Sequence, residues 1–350
     1  MVKAARSTML FYDDIGGYHA WIESMFRQYC DYIKALGMDY IFIHSVSARH
    51  DSGIVEPDGY NDQQLEGILS VCDEKGIRVA MGTHWMSYGW VTNPDYTTNE
   101  VNFQQELQQV AATMERLYAT FNQHPSFTDW MVVPEMGVLD VYNPRLVDLF
   151  QRYWTQVSAH SHGKPVYVAT YSSPEYGDDP LTKYGITPTS VQYGWQSILT
   201  KAGIKGGVIW VDSGGAQATW QEFSQTQKHK RLDDYYPAFK EGVQSAGATP
   251  IIQCEIFLNQ AGVYSLLPWD QIKPRLDYEL SLTTWLQIYA FNFMSPILHP
   301  INPVYPEYVK YIEQMPEPPQ PVPAPPIPLW KAALAWILGL GSAAGAVIKA

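Results

Sequence analysis

The 350-residue sequence has only three cysteines, Cys30, Cys72 and Cys254. They are far apart and odd in number, with no CxxC, so neither a disulfide framework nor a zinc knuckle is indicated. Cys30 and Cys72 fall at helical positions beside apolar residues, and buried free thiols are expected there. Positive charge is also scarce. Lys and Arg number 23 against 35 Asp and Glu, for a net charge of −12. The basic run Lys228–Arg231 is too short to neutralise a phosphate backbone, so nucleic acid is excluded as a partner. No GxGxxG turn follows the first apolar run, which removes the usual phosphate turn of a doubly wound open sheet. The opening residues, MVKAARSTMLFYDD, lack an apolar stretch of about 7–15 residues, so no secretory signal is read.

What is present is a packed globular composition, 46% hydrophobic and 17% charged. Aromatic residues make up 14%, with 12 Trp and 24 Tyr. Core packing accounts for most of them. Sugar-binding clefts also place flat aromatic faces under pyranose rings.

Short runs rich in Val, Ile, Tyr and Phe alternate with amphipathic helical stretches. Strand-like runs are read at Ser7–Asp14, Met38–Ser45, Ile77–Trp85, Ser126–Glu135, Lys164–Ser172, Gly206–Gly215, Thr249–Phe257 and Leu286–Pro296. A helix-sized segment follows each but the last. The helices include one from Asp62, read as its N-cap, and one starting at Asp233. Such alternation predicts a parallel sheet covered by helices. Eight units predict a (β/α)8 TIM barrel over residues 1–314.

The remainder has a different character. Met315–Pro328 carries eight prolines in 14 residues, which excludes helix and central strand. Residues 315–329 read as a polyproline II linker reaching roughly 40 Å at ~3.1 Å per residue. Residues 330–350 read as a C-terminal hydrophobic helix. Ala332–Ile348 is uncharged for 17 residues between Lys331 and Lys349, at the short end for a membrane span. Trp330 and Trp336 suit an interface. Gly341 and Gly345 form a GxxxG suited to self-association in lipid. The expectation is a membrane-anchored protein of a cell envelope or virion surface. The competing reading is an apolar helix buried against a partner protein.

Working groups in a (β/α)8 barrel sit at the C-terminal strand ends. Those ends offer Asp13, His44, His84 with Trp85, Glu135, Tyr171, Asp212, Glu255 and Asn292. Glu135 and Glu255 end strands four and seven, which face each other across a barrel mouth. Two carboxylates across a cleft are what glycosidic cleavage requires. A gap of about 5–5.5 Å goes with retention and about 6.5–9.5 Å with inversion. Asp13, His44, His84, Asp212 and Asn292 are candidates for binding substrate hydroxyls. Trp85, Trp90, Tyr171, Tyr193 and Trp195 are candidates for sugar stacking. No cofactor is expected. His44 and His84 with Asp13 and Asp212 form a lesser, metal-binding alternative. His160 and His162 lie where a helix returns to strand five, on the stability face, and are set aside.

The placement of the two glutamates resembles a large retaining clan of barrel glycosidases. That resemblance implies Glu135 as acid/base and Glu255 as nucleophile. The clan usually has Asn before the strand-four glutamate; here Pro134 stands there. GMDYIFIHS, EGILSVCDEKGIRVAMGTHW, HPSFTDWMVVPEMG and IIQCEIF, in that order, resemble a family of bacterial glycosidase-like barrels, the domain of unknown function numbered 4434. The resemblance covers roughly Thr8 to Phe257 and implies carbohydrate chemistry without naming a sugar. The alternative is a non-catalytic glycan-binding or structural surface protein that uses the barrel as a scaffold.

Overall fold

The computed structural model describes residues 5–10, 23–49, 60–86, 91–92, 97–98, 100–171, 184–212, 225–260, 263–289, 294–296 and 301–315. Eight parallel strands form the sheet: β1 (Ser7–Leu10), β2 (Tyr40–Ile43), β3 (Arg78–Met86), β4 (Phe127–Gly137), β5 (Val166–Tyr171), β6 (Gly207–Val211), β7 (Thr249–Glu255) and β8 (Leu286–Tyr289). Each pairs with the next, and β8 pairs back onto β1, so the sheet closes. The (β/α)8 barrel expected from the alternation is the fold.

Around it lie α1 (Glu23–Ala35), α2 (Asp62–Lys75), α3 (Glu100–Phe121), α4 (Pro144–Ala159), α5 (Pro188–Ala202), α6 (Gln225–Ser245), α7 (Trp269–Leu282) and α8 (Val304–Gln314). Local chemistry sets several ends. Asn61, rather than Asp62, caps α2, closing a capping box with Gln64, and Gly76 ends that helix in the left-handed region at φ 62°. Thr187 and Ser190 form the same box at α5, where Pro188 takes the first turn. Helix α6 begins at Gln225 instead of Asp233. Helix α8 was not expected from the sequence pattern.

Period two along each strand divides the core into two. Ile252 and Cys254 of β7 point outward into the layer between sheet and helices. Ile251 points into the barrel, with Met9, Phe42, Ala80, Met131, Ala169 and Ile209 from six other strands. All three cysteines are buried and free.

The N-terminal end of the barrel is closed by aromatic rings. Tyr40 lies 4.6 Å from Phe42 and 5.6 Å from Trp285, and Phe42 lies 5.2 Å from Tyr167. Arg6 stacks on Trp285 and Arg78 on Tyr40, each at 4.4 Å. The Tyr40 hydroxyl donates to buried Asp129. This end is a packed floor, which leaves the opposite strand ends for chemistry.

Strand β2 continues past His44 as Ser45–Arg49, still paired to β3. The bend is permitted by Gly82, where a Cβ would come within 2.6 Å of the Ile43 and His44 carbonyl oxygens. Among the described residues, no helix is long and apolar enough to cross a membrane. The proline-rich stretch beyond Met315 and segment 330–350 lie outside the described residues, as do Asp13, Trp90 and Asn292.

Candidate active site

Glu135 does not end β4, as its sequence suggested; the strand runs on to Gly137. Pairing with β5 passes from Val132–Val168 to Met136–Thr170, so three residues of β4 oppose one of β5. Pro134 sits in this bulge. It has no N–H to give a ladder, and a bulge is where a sheet interior tolerates it. The bulge projects Glu135 and keeps the strand's inward and outward alternation beyond it.

The strand end is then pinned. The Gly137 amide donates to the Asp140 carboxylate at 3.0 Å, and a Cβ on residue 137 would collide with that carboxylate. The Val138 amide donates to the Tyr171 carbonyl at 2.9 Å. Trp195 donates its indole N–H to the Val138 carbonyl at 2.9 Å. Trp195 is fully buried between helices, so it is part of this support and not a sugar-stacking face.

Glu255 ends β7, on the inward face two residues after Gln253, and is 3% exposed. Its charge acts on Glu135. Burial, and then the negative charge of Glu255, push the Glu135 carboxyl up from 4.5 to about 8. At neutral pH one member of the pair is therefore held protonated beside a like partner, the asymmetry that acid and nucleophile roles require.

Other candidates are distributed around this pair. His44 is half-buried at the β2 bend, and burial pushes its imidazole down to about 3, so it stays neutral. Tyr171 is half-buried beside Gly137 at the end of β5. Tyr289, not singled out from sequence, pairs with Glu255 on β8. Trp85 lies on β3, one residue before its end. Tyr193 lies on α5, 63% exposed and away from any strand end. His84 is buried, with Nε2 3.5 Å from the Glu106 carboxylate of α3. Tyr153 of α4 donates to that carboxylate at 3.2 Å, so His84 is tied to the helix layer.

Asp212 is also bound to the protein. One carboxylate oxygen accepts from the Glu255 amide at 3.1 Å and the other from the buried Arg275 guanidinium. Glu279, one turn along α7, completes the cluster; burial and the Asp212 charge push its carboxyl well above the usual range. Asp212, Cys254 and Glu279 place ligand atoms within 4.8 Å of one another. Arg275 already balances that charge, so the group reads as an ion-pair clamp. The trio His44, His84 and Asp212 is not drawn into a metal-sized cluster.

Arg275 and Glu279 carry a sequence signal of their own, away from any strand end. Ile272, Arg275, Leu276 and Glu279 are the buried residues of α7, at the spacing of one apolar stripe. Two charges on such a stripe must be paired inside the protein.

No protein of curated function matches the sequence. Among solved structures, a presumptive alpha-L-fucosidase from Bacteroides thetaiotaomicron is similar with a TM-score of 0.64 at 15% identity, over 88% of this chain and 93% of that one. The endo-beta-1,4-mannanase of Thermotoga petrophila gives 0.52 at 11% identity, over 90% and 78%. A GH2 beta-galacturonidase from Eisenbergiella tayi gives 0.52 at 14% identity, over 89% of this chain and only 51% of its own length. These likenesses show the (β/α)8 barrel as the fold. The sequence itself matches a family, Domain of unknown function (DUF4434), over residues 10–302, and the chain belongs to that family.

Proposed function

We propose that the protein hydrolyses glycosidic bonds, with Glu135 as general acid/base and Glu255 as nucleophile. The observation that carries this reading is the placement of two carboxylates on β4 and β7, where burial, and then the Glu255 charge, favours the protonated form of Glu135. In the first step Glu135 protonates the departing oxygen while Glu255 attacks the anomeric carbon. In the second, Glu135 takes a proton from water, which attacks the glycosyl-enzyme bond. The retaining outcome follows from the resemblance to the retaining clan. Tyr289, in register with Glu255, and Tyr171, in register with Gly137, supply stacking, and His44 a hydroxyl contact.

The names of the structural neighbours suggest the first substrates to try: aryl fucosides, mannosides and galacturonides, and β-mannan. Release from one of these, with product of the substrate's anomeric configuration by proton NMR, is the expected result. Inverted product would remove the nucleophile role from Glu255. Pro134, where the clan usually has Asn, favours a second reading: a barrel that binds glycan without turnover. Binding on a glycan array with no release from any substrate would select it.

The reading includes attachment to a membrane through residues 330–350, with Gly341 and Gly345 as a self-association face. It rests on the uncharged run Ala332–Ile348 and its flanking lysines. The full chain is expected to float with liposomes and a chain ending at residue 329 to remain at the bottom of the gradient. Equal flotation of both would end the anchor proposal.

A further inference from the structure

We propose that Asp212, braced by Arg275, is a positioning residue that sets where the Glu255 carboxylate sits at the barrel mouth. This rests on the paired-carboxylate reading above and names what holds that pair in register.

The ladder between β6 and β7 ends at Val211 with Gln253. One residue on, the Asp212 amide donates to the Gln253 carbonyl at 3.0 Å. The Asp212 side chain then reaches forward and accepts the Glu255 amide at 3.1 Å. Asp212 thus grips β7 on both sides of Cys254 and carries the connection past the point where strand pairing stops. The following amide, Ile256, is held from the other side by the Tyr289 carbonyl at 3.1 Å. Glu255 is therefore suspended between β6 and β8 by its own backbone.

Arg275 holds the second Asp212 oxygen and balances its charge. That guanidinium is 5% exposed and comes from α7, the helix that follows β7. Glu279 packs against the same carboxylate, and its raised pKa keeps a second negative charge from opposing Asp212. Were the Asp212 acceptor absent, the Glu255 amide would be a buried donor without that partner, and the strand end would shift to find another. A displacement of about 1 Å at a reacting group can cost roughly 100-fold in rate.

The test is read without substrate. Protein labelled at the glutamate side-chain carboxyl carbon reports the Glu135 titration by carbon NMR, assigned with Glu135→Gln. Glu255→Gln supplies the value without the facing charge. Two double variants then isolate the acceptor, since both remove the ion pair and both leave net charge unchanged. Asp212→Asn with Arg275→Met keeps an oxygen for the Glu255 amide. Asp212→Leu with Arg275→Met removes it while filling the space, an exchange that buried ion pairs often tolerate.

The asparagine pair is expected to titrate like the wild type. The leucine pair is expected to fall toward the Glu255→Gln value, by about one pH unit or more. A folded leucine pair that titrates like the wild type overturns the proposal. Should the leucine pair fail to fold, Asp212→Ala with Arg275→Met, which also removes the acceptor, takes its place: a fall toward the Glu255→Gln value supports Asp212, and titration like the wild type overturns the proposal. A wild type unaffected by Glu255→Gln would instead break the carboxylate pair itself, and this proposal with it. Neither double variant can produce that result.

Discussion

Glu255→Gln is expected to lower kcat on any cleavable glycoside by roughly 1,000-fold or more, since a nucleophile and its neighbours act as a unit. Glutamine keeps the size and the backbone bond to Asp212 but cannot form the glycosyl ester. The effect should fall on kcat, with KM little changed, because the carboxylate acts on the bond being broken. Azide separates the two roles. With Glu255→Ala it should restore turnover and give a glycosyl azide of inverted configuration. With Glu135→Ala it should give one of retained configuration. Activity of Glu255→Gln within tenfold of wild type would remove Glu255 from the chemistry.

Glu135→Gln has the second large effect, and part of it appears in stability. The folded protein holds Glu135 at about 8, against an ordinary value of 4.5. A raised carboxyl means that folding favours its neutral form. That contribution is fully present below the ordinary carboxylate range and is lost as pH rises toward and through 8. The wild type thus carries an ionised, poorly solvated carboxylate at alkaline pH. Glutamine removes it, and the variant should be more stable than wild type by about 2–4 kcal/mol at pH 9. At pH 4 the gain should vanish. Denaturant melts at the two pH values measure this, and equal gains at both would contradict the assignment. Activity should follow the same group in the opposite sense: kcat/KM of the wild type should fall above about pH 8, where the acid loses its proton.

Much of the fold was legible because its signals are local. Apolar runs such as MDYIFIHS repeat between amphipathic stretches, and each unit needs only its own periodicity to be recognised. The strand positions of the two candidate glutamates were legible for the same reason. Glu135 and Glu255 stand at the ends of apolar runs, and the barrel rule connects such ends to chemistry. Burial is a property of the fold that local signals do not carry. Trp195 reads as a flat aromatic near a strand end, yet its indole is locked to the Val138 carbonyl inside the helix layer. Tyr193, two residues away, faces outward on the same helix. His84 and Asp212 have the residue types of a polar cleft, but each lies buried against a charged side chain of a helix, Glu106 at 3.5 Å in one case and Arg275 in the other.

By itself the sequence determined the alternation of eight strands with helices, the two glutamates on strands four and seven, and the change of character after Met315. Periodicity and composition are properties of neighbours along the chain, so they need no folded partner to be read. Only the tertiary structure decided that Pro134 sits in a bulge that projects Glu135, and that Glu255 presses on its pKa. It alone showed that Asp212 serves the Glu255 backbone. Those three facts depend on residues 34 to 120 positions apart in the chain, which closure of the barrel brings together.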